Sequence, residues 1–152
     1  MKALGLLLAG ALAVAVIAGG MTMAKAQEVV CSALTGQLVE PSGAPVAGVE
    51  VRRDWTWRGK SGRDVTRTGA DGSFSFPEVP AKRGLLGFLP AEEAVVQRYF
   101  AELPGGSFEF LFVSRRDLKP GGETGGKPFN VRCKVGVEPG QQGWSWGTCD
   151  LR

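Results

Sequence analysis

Apolar and polar residues alternate in short runs over most of the chain after residue 33, and turn-forming residues separate these runs. Alternation with a period of two is typical of a strand with one buried face, whereas a surface helix repeats every three to four residues. Few of the runs are long enough for a stable helix. The pattern therefore predicts an all-β domain.

The longest strict alternation has Val49, Val51, Arg53, Trp55 and Trp57 in one parity and only polar or charged residues in the other. It predicts a strand with one apolar face, which Arg53 interrupts. We interpret Arg53 as a solvated arginine at a sheet edge. The alternative is that Arg53 marks a place where the apolar face meets a carboxylate.

Segments rich in Pro, Gly and Asp predict the connections between strands. They are Pro41–Pro45, Gly59–Gly62, Asp71–Gly72 and Gly121–Gly126. The first predicts a hairpin after a strand that begins at Leu34. The Asp-Gly pair is a tight hairpin signal between the strand Val65–Thr68 and a strand that begins at Phe74.

The segment Leu89–Leu103 has mixed signals. Val96 and Phe100 have helical spacing, and Ala-Glu-Glu-Ala after Pro90 is a good helix opening. The β-branched and aromatic residues in the same segment favour a strand. The residue pattern alone therefore leaves helix and strand open here.

Three further runs alternate in the second half of the chain. Their apolar positions are Phe108, Phe110 and Phe112, then Phe129, Val131, Cys133 and Val135, and finally Trp146, Cys149 and Leu151. The total of seven or eight strands is the number found in a Greek-key or immunoglobulin-like β-sandwich. A single sandwich domain is therefore predicted.

The first 26 residues have the layout of a secretory signal peptide. A basic start at Lys2 precedes the uncharged run Ala3–Gly20, and Ala24-Lys25-Ala26 is a small-x-small cleavage site. We predict cleavage after Ala26 and a mature domain of residues 27–152 that is periplasmic or secreted. The alternative is an uncleaved membrane anchor, because the apolar run approaches the roughly 18 residues that a span needs.

Composition narrows the possible functions. The chain has no His, which removes Ser-His-Asp and Cys-His nucleophile pairs and His-containing zinc sites. The leader carries two of the 18 basic groups and none of the 15 acidic ones, so the mature net charge is about +1. The chain contains no run of five or more basic residues, so the sequence gives no indication of a nucleic-acid-binding surface. We expect no catalysis, cofactor, metal or nucleic acid, and membrane contact only through a retained leader.

The stretch Gly121–Lys127 has the spacing G-x-x-x-x-G-K with which a phosphate-binding loop begins. Pro128 stands where a Ser or Thr would hold magnesium, and Glu123 would repel a phosphate. We therefore expect a flexible strand connection and no nucleotide.

Export makes Cys31, Cys133 and Cys149 candidates for one disulfide and one free thiol. We favour Cys133 with Cys149, because a Gly-Pro-rich turn between them lets the chain fold back. Cys31 with Cys149 is sterically reasonable if the first and last strands are neighbours. Three buried thiols are the remaining alternative.

The Trp residues supply candidates for binding. Trp55 with Trp57 and Trp144 with Trp146 form two Trp-x-Trp pairs, and each pair in a strand would make an aromatic shelf on one sheet face. Together with Arg53 they are the predicted partner-binding residues. The alternative is that Trp55 and Trp57 continue the core face, while for Trp144 and Trp146 burial and exposure are equally consistent with the pattern.

Three motifs resemble the carboxypeptidase regulatory-like family. They are Leu-Thr-Gly-Gln-Leu-Val from Leu34, Gly-Ala-Pro-Val-Ala-Gly-Val-Glu-Val from Gly43, and Thr-Gly-Ala-Asp-Gly-Ser-Phe-Ser-Phe from Thr68. Domains of that family are transthyretin-like Greek-key β-sandwiches. The resemblance implies a non-catalytic accessory or binding module in residues 27–152. In the second half, Leu89-Pro-Ala-Glu and Gly125-Gly-Lys-Pro resemble an uncharacterised exported bacterial branch of that superfamily, and this resemblance favours strand for residues 94–101.

Size, export and the lack of catalytic groups together predict a non-catalytic binding module that acts through protein–protein contact. The most specific hypothesis is a periplasmic immunity protein that neutralises a secreted toxin. The alternative is a carbohydrate-binding or structural module of the cell envelope.

Overall fold

The protein was analysed as a computed structural model, which describes residues 27–85, 87–91 and 93–152. The predicted signal peptide, residues 1–26, lies outside the described residues, so its cleavage stays a prediction. No helix within the described part of the chain is long and apolar enough to cross a membrane.

Strands dominate the described residues. They are β1 (Val29–Cys31), β2 (Leu34–Val39), β3 (Glu50–Trp57), β4 (Lys60–Arg67), β5 (Ser73–Phe76), β6 (Val79–Pro80), β7 (Val95–Leu103), β8 (Gly106–Arg115), β9 (Asn130–Lys134), β10 (Gly140–Gln142), β11 (Ser145–Gly147) and β12 (Cys149–Leu151). Seven of them have four or more residues, in line with the predicted number, and the other five have two or three. A 3-10 turn covers Gly122–Thr124.

The strands form two large sheets that pack face to face. The six-stranded sheet has the order β10-β11-β8-β7-β3-β4, and the four-stranded sheet has the order β12-β9-β2-β5. β1 and β6 form a two-stranded sheet. The main core lies between the large sheets and includes Leu38, Val51, Tyr99, Phe110 and Val131. The predicted all-β sandwich is confirmed.

The predicted hairpins at Pro41–Pro45 and Asp71-Gly72 are wrong. Each connects a strand of one large sheet to a strand of the other: β2 to β3, and β4 to β5. Gly72 has a φ of 78°, and an added Cβ there would collide with the carbonyl oxygen of Leu38. Turn chemistry specifies a chain reversal, but the burial of both apolar faces decides which strands pair.

The predicted connection Gly59–Gly62 is shorter than expected. β3 and β4 pair up to Trp57 opposite Lys60, so only Arg58 and Gly59 form the turn. Their φ angles are 50° and 73°, and positive φ at both central residues matches the twist of a two-residue hairpin.

The ambiguous segment contains strand β7, which lies between β3 and β8 in the six-stranded sheet. The expectation of strand for residues 94–101 is therefore confirmed. A bulge in β8 places Leu111 opposite Tyr99 and Glu109 opposite Phe100, so Phe110 has no partner of its own. As a result Phe110 and Leu111 are both buried, and the simple alternation of Phe108, Phe110 and Phe112 fails after the bulge.

The predicted last strand is two strands in different sheets. β11 pairs with β8, whereas β12 pairs with β9. Cys149 stands directly opposite Cys133, and the two form a disulfide with an S–S distance of 1.99 Å. Cys31 is a free, buried thiol. The favoured pairing is thus confirmed, and the alternative of Cys31 with Cys149 is wrong.

We expect the double substitution Cys133→Ser and Cys149→Ser to lower the free energy of unfolding by about 3 kcal/mol. The physical reason is that the crosslink restricts the unfolded chain over a loop of about 15 residues. Urea unfolding of the oxidised protein and the variant measures the difference. A reductant should destabilise the oxidised protein and leave the double variant unchanged, and equal effects on both would contradict this contribution.

Candidate contact surfaces

The five predicted partner-binding residues do not share one surface. Arg53 and Trp57 are only 0% and 2% exposed, Trp55 and Trp144 are half-buried, and Trp146 is 37% exposed. Trp57 belongs to a small second core, and Trp144 packs edge-on against Phe129 with ring centres 5.8 Å apart. Trp57 thus continues the core face, as the alternative has it, and of the five residues Trp146 is the most exposed. Contact of these residues with a partner stays a prediction.

Trp146 lies on the outer face of the six-stranded sheet, the face turned away from the core. One row of neighbouring residues crosses all six strands on this face: Gln141, Trp146, Phe112, Arg98, Asp54 and Arg63. Arg98 lies 5.9 Å over the Phe112 ring and forms an ion pair with Glu109. The bulge in β8 is what directs Phe112 to this face.

A second cation–π pair lies beside this row. Arg52 is 4.4 Å from the centre of the Phe100 ring and also bonds the carboxylates of Asp54 and Glu102. A hollow of about 200 Å³ lies at the Trp146 end, and its lining includes Ser114 and Gln141. The outer face thus combines aromatic rings with arginines that are held in place by neighbouring carboxylates.

An exposed apolar loop lies between β6 and β7. Leu85, Phe88 and Leu89 are 95%, 80% and 45% exposed, and we call these three residues the apolar loop. The run Arg-Gly-Leu-Leu-Gly-Phe-Leu-Pro in this stretch shows neither helical nor strand periodicity. Such an apolar run without either periodicity is the signal in the sequence from which an exposed loop could be predicted.

Ion pairs hold both ends of the apolar loop. Arg83 bonds Glu28 at 2.8 Å and Glu93 at 2.9 Å, and Arg58 bonds Glu93 at 2.7 Å and the carbonyl oxygen of Leu89 at 3.1 Å. Burial raises the pKa of Glu93, but hydrogen bonds from Arg83, Trp57 and Arg58 outweigh it and hold that pKa below its usual range. The carboxylate therefore stays charged at neutral pH.

The family described as Domain of unknown function (DUF6795) matches residues 34–138, more than half of the chain. The chain belongs to this family. The DUF6795 match begins with β2, includes the apolar loop and ends after β9, so Trp144 and Trp146 lie beyond it. No curated protein and no solved structure matches the chain. The resemblance to the carboxypeptidase regulatory-like family stays a prediction.

Arg53 of the DUF6795 domain forms an ion pair inside the sandwich. Its Nε and Nη2 lie 2.8 Å and 2.7 Å from the Asp64 carboxylate, Nη2 donates to the Pro77 carbonyl, and the guanidinium lies 4.9 Å over the Phe76 ring. The interpretation of Arg53 as a solvated edge arginine is wrong, and the alternative of a meeting with a carboxylate is right. Asp64 faces Arg53 only because β4 pairs with β3, which the sequence pattern did not specify.

Glu123, in the supposed phosphate loop, is the centre of a second buried network. Its carboxylate accepts hydrogen bonds from the Ser32 amide and hydroxyl and from Gln97, and it lies 3.3 Å from the Arg115 guanidinium. Gln97 in turn accepts a hydrogen bond from the Tyr99 hydroxyl at 2.6 Å. The connection Gly121–Gly126 is therefore tied to the core, which corrects the expectation of a flexible connection.

The Cys31 thiol and the Tyr99 hydroxyl, which lie next to these networks, stay protonated at neutral pH. Burial raises the pKa of the Cys31 thiol to about 12, although the charge of Arg53 acts in the opposite direction. Burial also raises the pKa of Tyr99. A protonated thiol is a poor nucleophile and a poor metal ligand. Within the described ranges, no three His, Cys, Asp or Glu side chains are grouped as a metal site.

Asp64→Asn should lower the free energy of unfolding by about 2 kcal/mol, because it leaves the buried guanidinium of Arg53 without a counter-charge. Urea unfolding provides the measurement. Asp54→Asn is the matched control, since Asp54 pairs with the exposed Arg63 on the same hairpin and should change stability much less. Equal effects of the two substitutions would contradict the importance of the buried pair.

The Cys31 thiol should resist alkylation by iodoacetamide at pH 8.5 in the folded protein and react readily in urea. Mass spectrometry counts the modified thiols. Since the folded pKa lies about 3 above the ordinary value of 9.0, the unfolded thiol ionises first, and stability should fall as the pH rises above about 9. Equal alkylation in the folded and unfolded states would contradict the burial of Cys31.

Proposed function

We propose that this DUF6795 domain is an exported, non-catalytic binding module that acts through protein–protein contact. The observation that carries the proposal is the outer face of the six-stranded sheet, where Trp146 and Phe112 lie beside Arg98. Trp and Arg are the residue types that contribute most often to binding energy at protein interfaces. The proposed surface therefore centres on Trp146.

The size of this face supports a protein partner. Six strands spaced about 4.8 Å apart make a face roughly 24 Å wide, and four of them are 8 to 10 residues long, so the face can supply much of the patch of about 800 Å² that one partner contributes to a standard interface. Arg98 and Arg52 are already held by Glu109 and Glu102, so a partner would immobilise few additional side chains. Such preorganisation lowers the entropic cost of association.

The most specific form of the proposal is a periplasmic immunity protein that neutralises a secreted toxin. A rigid surface suits tight inhibition of a single target. The sandwich is crosslinked between β9 and β12, and disulfides persist in oxidising compartments such as the periplasm. The signal-peptide prediction agrees with this location.

A carbohydrate-binding or structural envelope module is the second candidate. Its supporting observation is the hollow of about 200 Å³ beside Trp146, whose lining includes Ser114 and Gln141. An aromatic ring next to hydroxyl and amide groups can stack a sugar ring and bond its hydroxyls.

The first proposal is tested with the product of a neighbouring gene that encodes a secreted lipase, nuclease or muramidase. Co-expression should protect cells from that toxin, and the purified pair should bind. The double substitution Trp146→Ala and Arg98→Ala should weaken binding about 30-fold or more, because both residues are of the hot-spot type. Titration calorimetry measures the affinity.

Lys134→Ala is the control, because Lys134 is exposed on the four-stranded sheet and should not affect binding. Unchanged affinity of the double variant would contradict the proposed surface. A shift of Trp fluorescence with glycans that Trp146→Ala abolishes, with no toxin bound, would instead support the carbohydrate alternative.

A further inference from the structure

We infer that the apolar loop docks the protein onto the surface of an anionic lipid bilayer, with Leu85, Phe88 and Leu89 entering the interfacial region. This membrane contact goes beyond the proposed protein–protein function and uses none of the residues of the outer face.

The exposure of the loop is the first argument. Leu85 and Phe88 are more exposed than the other large apolar residues that the structure describes outside the loop, Val65 and Trp146. Leu85, Phe88 and Leu89 join neither hydrophobic core cluster. Several neighbouring apolar side chains exposed to water indicate a site of contact with a membrane or with another protein.

The base of the loop is held rigidly, which fixes how the apolar residues are presented. Arg83 and Arg58 meet at Glu93, and Arg58 also bonds the Leu89 carbonyl on the far side of the loop. Lys60 donates a hydrogen bond of 3.0 Å to the Lys82 carbonyl on the near side. Both ends are thus fastened to the β3–β4 hairpin, and the loop projects from it.

The positive charge at the base of the apolar loop favours an anionic bilayer as the partner. Four positive charges lie at the base of the loop, on Arg58, Lys60, Lys82 and Arg83. Against them stand the carboxylates of Glu28 and Glu93 and, in the sequence, that of Glu92. Apolar residues at the tip with Lys and Arg behind them match a bilayer, because the tip enters the acyl boundary while the cations stay among anionic headgroups. An apolar protein cleft would account for the tip but not for the excess of positive charge.

A cavity beside the loop continues this amphipathic surface. It measures about 300 Å³ and is lined by Trp55 and Trp57 together with Lys60 and Lys82. Trp57 is buried beneath it, whereas the half-buried Trp55 ring and the aliphatic stems of Lys are of the kind that favours the level of the lipid headgroups.

The path of the chain gives a further argument. Glu28 bonds Arg83, so residue 28 lies at the base of the apolar loop. In the sequence, the apolar run Ala3–Gly20 ends only seven positions before Gln27, a distance that an extended chain spans in at most about 25 Å. If the leader is retained, a bilayer that holds it is therefore within reach of the loop.

Vesicle binding tests the inference. The full gene is expressed, the protein is purified in the form in which it is exported, and flotation is measured with phosphatidylcholine vesicles that contain or lack phosphatidylglycerol. We expect binding to the anionic vesicles that weakens with salt and with neutral lipid. Leu85→Ser with Phe88→Ser should weaken it about tenfold or more, because two apolar side chains no longer enter the interface.

Val65→Ser is the matched control, because it replaces an exposed apolar residue on the outer face and should leave vesicle binding unchanged. Thermal unfolding checks that each variant is folded. Phe88→Trp gives a direct readout: its added fluorescence should shift to the blue on anionic vesicles and be quenched by brominated lipid.

Two outcomes would overturn the inference. One is equal vesicle binding by the exported protein and the Leu85→Ser, Phe88→Ser variant. The other is no binding of the exported protein to anionic vesicles, and loss of a protein partner by the same variant would then make the loop a protein contact. Trp146→Ala should keep vesicle binding, so a failure of the proposed protein–protein function is distinguishable from a failure of this one.

Discussion

The burial of the Glu123 carboxylate is the constraint on which the rest of the structure depends. A buried charge without partners is costly, so the chain has to bring donors to it from several elements. Ser32, which follows β1, and Arg115 from β8 meet there, and Arg115 also bonds the carbonyls of β1. These bonds fix the position of β1, and the adjacent Glu28 then bonds Arg83 at the base of the apolar loop. The position of the apolar loop therefore depends on the buried carboxylate of Glu123.

The sandwich keeps its two proposed surfaces separate. The outer face is built on the central strands β7 and β8, whereas the apolar loop is fastened to the β3–β4 turn and to the residue before β1. They share no residue, so a protein could bind at Trp146 while Phe88 lies in a bilayer. Such an arrangement would concentrate a binding module at the membrane and increase its effective concentration for a target there.

Some features could be predicted from the sequence because they depend on local chemistry. The period of two predicted most of the long strands, and the spacing of Cys133 and Cys149 around a Gly-Pro turn predicted the disulfide. The same alternation places Trp57 on the apolar face of its strand, and Trp57 is buried in the second core. Arg53 was misread because its partner Asp64 is eleven residues away and becomes its neighbour only when β3 and β4 pair.

The sequence by itself determined the class of fold, most of the long strands and the residue types available for binding, because alternation and turn residues act over a few positions. Tertiary structure alone decided which strands pair, which sheet each turn joins and which Trp stays exposed. The physical reason is that these outcomes follow from burying two apolar faces against each other and from pairing charges distant in the chain. The bulge at Phe110, which turns Phe112 outward, is the clearest instance.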